Sequence, residues 1–450
     1  MAEFNVVETK QLFSSRLDAE YYKVEYYKII RELSNLGATP IVNFISKNSM
    51  RFSKDCDTFK YIEISGVNLE TGEYSTRTIQ CSETPSRASF VVQKGDILVS
   101  NVRPNRNAVA FINSSETIQV CSSGFTVLRP IGVSSEYIFA YLKVDFSKKL
   151  LTRSVSATMY PAINASDVYN LPLLRDAKLE EIIENKIKNG FDSLNHSKNL
   201  YDNARAIVRR KVFGQNSTHK TKPKYAEFTL SETNRSNRLD SEYFIHEMQD
   251  EPLSNVAWIP LNEVIDNIFN GKTPAASDYS EDGISIIKVE DLQNYGIINS
   301  TKSFVPKSWA EVNAKGRVKQ KDILMLCAAH HIRYIGKTNI ILDEYDDWVS
   351  AVGELIVIRP NKKINPEYLS IALRLPKVKE QIQRLTRGNT AHVYPKDLMK
   401  LKVPILNDEL QLEISELVLN SFHERRKGQS LINQAIHEIE LFAAQPNSSF

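Results

Sequence analysis

The sequence predicts a mixed α/β (α+β) protein written twice. Two α/β units are each closed by one long helix, and the two helices pack antiparallel as a coiled coil in a pseudo-two-fold architecture. Three observations predict this. Short motifs recur in one order some 222 to 231 residues apart, the middle of each repeat alternates short apolar runs with turns, and each repeat ends in a sustained helical period.

The repeat opens at Arg16-Leu-Asp-Ala-Glu-Tyr-Tyr22, answered by Arg238-Leu-Asp-Ser-Glu-Tyr-Phe244. Lys94-Gly-Asp-Ile-Leu98 returns as Gln320-Lys-Asp-Ile-Leu324. Phe125-Thr-Val-Leu-Arg-Pro130 returns as Leu355-Ile-Val-Ile-Arg-Pro360, each followed by Glu-Tyr, at Glu136-Tyr137 and Glu367-Tyr368. Phe191, Leu200 and Ala204 match Phe422, Leu431 and Ala435 at identical spacing. The slow drift of the offset means small loop insertions within one duplicated unit.

Each element follows in order. An opening segment spans 1–36, and a polar, basic linker with the second opening segment spans 214–252. The α/β regions are 37–175 and 253–406, where Lys60-Tyr-Ile-Glu-Ile-Ser65, Asp96-Ile-Leu-Val-Ser100, Ile284-Ser-Ile-Ile-Lys-Val289 and Glu354-Leu-Ile-Val-Ile-Arg359 read as strands. After Pro172 and Pro404 the period becomes helical, over 176–213 and 407–443, with Asp176 and Asn407 as N-caps and a tail at 444–450. One stripe holds Leu179, Ile183, Ile187, Phe191, Leu194, Tyr201, Ala204 and Val208. The other holds Leu410, Ile414, Leu417, Leu431, Ala435 and Ile439. A helix of about 36 residues is roughly 54 Å long at ~1.5 Å per residue, too long to leave such a stripe in water, so the two should pack on each other.

Composition narrows the function. Of 450 residues only 16 are glycine, leaving little material for glycine-rich phosphate loops. Gly271-Lys272-Thr273 lacks the glycine five residues earlier, where Asp266 stands, so it reads as a turn. The net charge of +3 decides nothing alone, because a basic face can hide in a balanced total. The cysteines Cys56, Cys81, Cys121 and Cys327 form neither a redox pair at close spacing nor a four-thiolate zinc site. Cys327 with His330 and His331 lacks a fourth ligand nearby, so no metal is expected. The N-terminal Met-Ala-Glu-Phe-Asn leads into no apolar stretch, and no run approaches the ~18 residues of a membrane span, so a cytoplasmic protein without a membrane partner is expected.

Trp258-Ile-Pro-Leu-Asn-Glu-Val-Ile, Gly271-Lys-Thr-Pro274 and Ile286-Ile-Lys-Val-Glu-Asp-Leu292 together resemble the opening of a target recognition domain in the specificity subunits of type I restriction-modification enzymes. Ile64-Ser-Gly-Val-Asn-Leu-Glu-Thr-Gly72, Lys94-Gly-Asp-Ile-Leu-Val-Ser100 and Val102-Arg-Pro-Asn105 supply the other half. The first unit lacks a Gly-Lys-Thr-Pro box, and the second reads Gln-Lys-Asp where the first reads Lys-Gly-Asp. The resemblance covers nearly the whole chain and implies a non-catalytic DNA-reading subunit with two target recognition domains. It implies as partners double-stranded DNA, adenine methyltransferase subunits and a nuclease-translocase subunit, with S-adenosylmethionine, ATP and magnesium on those partners and no cofactor in this chain.

On that reading the DNA-binding residues fall in loops rich in cations and amides. Arg103, Asn105, Arg106 and Asn107 follow a strand of the first unit, and His330, His331, Arg333 and Tyr334 take the corresponding place in the second. Loops before the long helices add Arg153, Ser156, Thr158 and Tyr160, then Arg387, Asn389, Thr390 and His392. Lys272 and Thr273 of the turn complete the set. Tyr21, Tyr22, Tyr26 and Tyr27 are expected to pack rather than stack on bases. Three alternatives stay open: the separate specificity subunit of an enzyme with a fused methyltransferase-nuclease, a duplicated protein-binding adaptor, and a nuclease built on Asp176 and Glu184-Asn-Lys186. The helical period already explains the last.

Overall fold

A computed structural model describes residues 18–46, 50–114, 117–155, 161–214, 229–231, 233, 256–293, 295, 303–345, 349–388 and 390–444. The chain divides into two compact units, Met1–Asn195 with Arg425–Phe450, and His196–Glu424. The division falls inside both long helices, so each helix contributes to both units. The opening repeat, Arg16 to Tyr22 against Arg238 to Phe244, lies largely outside the described residues.

Besides a short antiparallel pair of Thr39–Pro40 with Pro172–Leu173, the first unit holds two four-stranded sheets. One runs Ile45–Ser46, Phe125–Pro130, Ile97–Ser100, Val109–Phe111 and is antiparallel throughout. The other runs Tyr74–Gln80, Thr58–Val67, Gln119–Ser122, Ala88–Val92, with one parallel pairing between Thr58–Val67 and Gln119–Ser122. The second unit repeats both orders. Its antiparallel sheet is Ile265–Asn270, Leu355–Pro360, Ile323–Leu326, Thr338–Ile340. Its other sheet is Phe304–Val305, Ile284–Ile287, Val349–Ala351, Arg317–Val318, with Ile284–Ile287 parallel to Val349–Ala351.

The continuous apolar runs now have a reason. Successive side chains of a strand point to opposite faces, so a strand buried on both sides must be apolar throughout. Ile97 and Val99 face the helices Ser135–Lys143 and Asp145–Arg153, whereas Leu98 faces the second sheet. Ile323 and Met325 face the helices of the second unit, and Leu324 and Leu326 its second sheet.

The polar residues of the repeated motifs hold one another. Asp96 is fully buried and accepts two 2.8 Å hydrogen bonds from Arg129, while Asp322 accepts bonds of 2.9 and 2.7 Å from Arg359. Tyr137 donates to the Leu174 carbonyl at 2.7 Å and Tyr368 to the Pro404 carbonyl at 2.8 Å, fixing the chain just before each long helix. The Gln-Lys-Asp departure is also explained. Gly95 has φ +91°, and Lys321 takes the same left-handed turn at φ 70°.

The long helices span Ala177–Phe213 and Asp408–Ala444. Their caps act through side chains, Asp176 accepting from the Leu179 N–H at 2.8 Å and Asn407 from the Leu410 N–H at 3.1 Å. Beside Phe191, Ser193, Ile207 and Val212 on the first and Gln411 and Ser415 on the second, each helix buries one regular series: Ile183, Ile187, Gly190, Leu194, Ser197, Tyr201, Ala204 and Val208, and Ile414, Val418, Ser421, Arg425, Gly428, Ile432, Ala435 and Ile439. Both follow alternating intervals of four and three, and the two sets correspond one to one across the repeat. The expected second stripe is thus corrected: Val418 and Ile432, not the half-buried Leu417 and Leu431, carry it, with polar residues filling its middle.

Within each unit the helix segments run antiparallel. In the first, Lys186 meets Glu438 at 3.0 Å, and a Cβ on Gly428 would lie 2.7 Å from the Gly190 carbonyl oxygen. In the second, the Ser421 hydroxyl donates to the Ser197 carbonyl at 2.8 Å. The buried Arg425 reaches Glu73 at 2.8 Å, and Gln429 donates to Glu70 at 2.8 Å, so the loop through Gly72 docks on the helix Asp408–Ala444. Cys56 and Cys81 form a disulfide that their sequence spacing does not show, because the pairing of Thr58 with Gln80 brings them together.

Candidate nucleic-acid interface

In the first unit, the strand Ile97–Ser100 delivers a loop that turns through Arg103 and Asn107, both left-handed at φ 52° and 51°. Such a conformation costs a non-glycine residue about 1–2 kcal/mol and is held only by its surroundings. Those surroundings are the loop preceding the long helix. The Arg103 N–H donates to the Pro161 carbonyl at 2.8 Å, the Ile163 N–H to the Asn101 carbonyl at 2.9 Å, and Val102 bridges Ala162. Arg103, Asn105 and Arg106 are exposed on this platform.

Two of the expected contact residues are engaged within the unit itself. Asn107 is 9% exposed and its amide donates to the Lys143 carbonyl at 3.2 Å, so it braces the loop from within. Arg153 donates to the Tyr21 carbonyl at 2.8 Å with its guanidinium 3.9 Å from the Tyr21 ring and 5.3 Å from the Tyr27 ring. Cation–π contact thus ties it to the opening segment. Tyr22 and Tyr26 are buried, in keeping with packing. Ser156, Thr158 and Tyr160 lie outside the described residues.

Equivalent wiring appears in the second unit. Ala328 and Ala329 pair with His392 and Ala391, and the Val393 N–H donates to the Cys327 carbonyl at 2.9 Å. This joins the loop holding His330, His331, Arg333 and Tyr334 to the loop holding Arg387, Thr390 and His392. The latter closes on itself through reciprocal backbone bonds between Arg387 and His392, at 2.9 and 3.1 Å. His330, His331, Arg333, Tyr334, Arg387 and Thr390 are all exposed. The His331 Nδ1 accepts from the Arg333 N–H at 3.1 Å, and Arg333 donates to the Tyr334 hydroxyl at 2.7 Å. Arg387 is also held by Asp397 at 2.8 Å. Asn389 lies outside the described residues.

The Gly-Lys-Thr-Pro turn adjoins this surface and explains its own composition. A Cβ on Gly271 would lie 2.1 Å from the Ala351 carbonyl oxygen, so only glycine fits. Thr273 is exposed, and its hydroxyl donates to Glu354 at 2.9 Å and accepts from the Gly353 N–H at 2.8 Å, clasping the neighbouring turn. The Lys272 side chain is exposed. Burial pushes the Cys327 thiol up to about 12, and it donates to the Glu354 carbonyl at 3.1 Å. Among the described residues no group of three metal-binding side chains assembles.

Several surface residues escaped the sequence reading. Arg87 is exposed beside the first loop, its carbonyl accepting from the Ser123 N–H at 2.7 Å while the Asn101 N–H donates to the Gly124 carbonyl at 2.8 Å. Tyr394, 48% exposed, stacks on His392 with centroids 4.4 Å apart and planes at 16°. The alternation His392-Val-Tyr394 was the available signal, since residues two apart on an extended segment face the same way.

Among solved structures, the chain is similar to the HsdS subunit from Thermoanaerobacter tengcongensis (17% identity, 88% of this chain and 95% of that one, TM-score 0.31). It is also similar to the type I restriction-modification S subunit from M. genitalium (15%, 91% and 96%, TM-score 0.42). A curated relative, the type I restriction enzyme HindI specificity subunit of Haemophilus influenzae, is 21% identical over 93% of this chain and 96% of its own length. A family model of the type I restriction modification DNA specificity domain matches residues 254–433. Residues 254–433 therefore match the type I restriction modification DNA specificity domain, and the whole chain is similar in length and order to specificity subunits.

Proposed function

We propose that this chain is the DNA-reading subunit of a type I restriction-modification system, in which each unit is a target recognition domain reading one half of a bipartite target. One observation carries the reading. In both units the loop after the buried strand is tied by backbone bonds to the loop before the long helix, and the platform so formed exposes different chemistry in each. Arginine and asparagine in the first unit suit guanine and adenine edges, whereas the second offers histidine, arginine and tyrosine; two half-sites of different sequence need that difference. The charge balance of residues 375–402, seven basic against two acidic, supports a phosphate track on the second unit.

The long helices act as an antiparallel coiled-coil ruler that separates half-sites by about 34 Å or more, somewhat over one turn of DNA. Methyltransferase subunits dock on the helices and opening segments and bring S-adenosylmethionine to a flipped adenine in each half-site. ATP and magnesium belong to the nuclease-translocase subunit, and this chain contributes recognition without catalysis. The test is methylome sequencing of cells that express the chain with its methyltransferase, against cells lacking it. A split methyladenine motif that vanishes with the chain is expected, and exchanging residues 37–175 should change one half only. A change in both halves would sink the modular reading, and dependence of no methylation on this chain would favour the adaptor.

A further inference from the structure

The two units differ at one equivalent place in a way that points to a ligand. In the first, the helix Asp145–Arg153 starts against the helix Asp408–Ala444, and the Asp145 N–H donates to the Glu440 carboxylate at 3.1 Å. A helix N-terminus carries unsatisfied N–H groups and positive partial charge, which the chain's own carboxylate answers here. In the second unit the helix Pro376–Arg384 starts against the helix Ala177–Phe213. The correspondence that matches Ala204 with Ala435 matches Arg209 with Glu440 and Asp145 with Pro376, which has no N–H to donate, so cationic side chains stand where the first unit pairs an N–H with a carboxylate. Charge is therefore inverted where the first unit keeps its anion.

Arg205, Arg209 and Arg374 line a cleft of about 260 Å³ bordered by Pro376, and Asp202 is the one acid lining it among the described residues. Asp202 sits 3.3 Å from Arg205, and Arg374 donates to the Thr338 carbonyl at 2.7 Å. Three guanidinium groups thus face one carboxylate. The first turn of the helix adds no negative charge, since it holds no acid, and its cap residue Leu375 makes no side-chain bond. Lys337 and Lys379 are both held below the ordinary lysine range, by burial first and then by Arg374, as expected of a neighbourhood already rich in positive charge.

We propose that this cleft binds a phosphate-type oxyanion between the guanidinium groups of Arg205, Arg209 and Arg374, beside the start of the helix Pro376–Arg384. Guanidinium forks match tetrahedral oxyanions two bonds at a time, and helix N-termini favour them. Free phosphate and a DNA phosphodiester share this chemistry.

The experiment compares thermal unfolding of the full chain in inorganic phosphate and in sodium chloride of equal ionic strength. Phosphate should raise the midpoint beyond chloride, since a ligand of the folded state stabilises it. Arg209→Gln should weaken the apparent phosphate affinity by about tenfold. Arg209→Glu, which installs the first unit's carboxylate, should abolish the phosphate-specific shift and leave the chain folded. Equal shifts in the two salts, or a phosphate shift that survives in Arg209→Glu, would overturn the proposal. With the shift in hand, a short DNA duplex separates the sources: weaker binding by Arg209→Glu with a shallower salt dependence assigns the site to a phosphodiester, and unchanged binding assigns it to free phosphate. The recognition loops take no part in the phosphate measurement, so its failure and that of the DNA-reading proposal are distinguishable.

Discussion

Arg359 grips the Asp322 carboxylate through two hydrogen bonds, of 2.9 and 2.7 Å, and Asp322 also accepts the Lys319 N–H at 2.8 Å. Asp322 is 1% exposed, and the same triad recurs as Arg129, Asp96 and the Gln93 N–H. The Asp-Ile-Leu and Arg-Pro motifs, 37 residues apart in the second unit, are therefore two ends of one interaction. A buried carboxylate with a bidentate guanidinium is costly to break from one side, because the survivor keeps its charge without its partner.

Arg359→Met should accordingly destabilise the second unit by about 3–5 kcal/mol, and adding Asp322→Asn should recover part of that loss. Urea denaturation of the single and double variants checks it. Equal loss in both would mean that the pair is not coupled.

Gly428→Ala sets two effects against each other. Alanine in a helix interior gains about 1 kcal/mol over glycine. Here the added Cβ would sit 2.7 Å from the Gly190 carbonyl oxygen, a backbone atom that cannot swing aside, and overpacking costs about 1–3 kcal/mol. Net destabilisation is expected, read as a lower unfolding midpoint; a higher one would show that the helices do not approach closely there.

The first platform separates contact from support. Arg103→Ala and Arg106→Ala should each weaken DNA binding and lower the slope of log affinity against log salt by about one, with unfolding nearly unchanged. Asn107→Ala should instead lower stability by about 1–3 kcal/mol, because its buried amide holds the Lys143 carbonyl. Salt titrations of binding beside denaturation curves distinguish the two classes.

Burial, reinforced by Arg374, lowers the Lys337 ammonium from its ordinary 10.5 to about 8. Between about pH 8 and 10.5 the unfolded chain then holds more protons than the folded one, so this group makes stability rise with pH. Below that window both states carry the proton and the penalty is constant. The midpoint of the wild-type chain relative to Lys337→Met should climb from about pH 7.5 to about pH 9.5. A flat difference would mean that Lys337 titrates normally.

The sequence by itself determined the repeated motifs, strands such as Ile97–Ser100 and Leu355–Pro360, the two long helices, and their caps Asp176 and Asn407. Each rests on a local rule: a repeated motif, a period, or a side chain that caps three residues ahead. Only the tertiary structure decided the helix seam through Ser421, Arg425 and Gly428. Hydrophobic periodicity cannot find a buried position filled by glycine, serine or a paired arginine. It likewise took the fold to bury Asn107 and to tie the half-buried Arg153 and the exposed Thr273 to neighbouring groups, since a cation or amide looks the same in sequence whether it faces solvent or a neighbour's carbonyl. The charge inversion between Glu440 and Arg209 was written in the chain, but its meaning needed the helix start packed beside it.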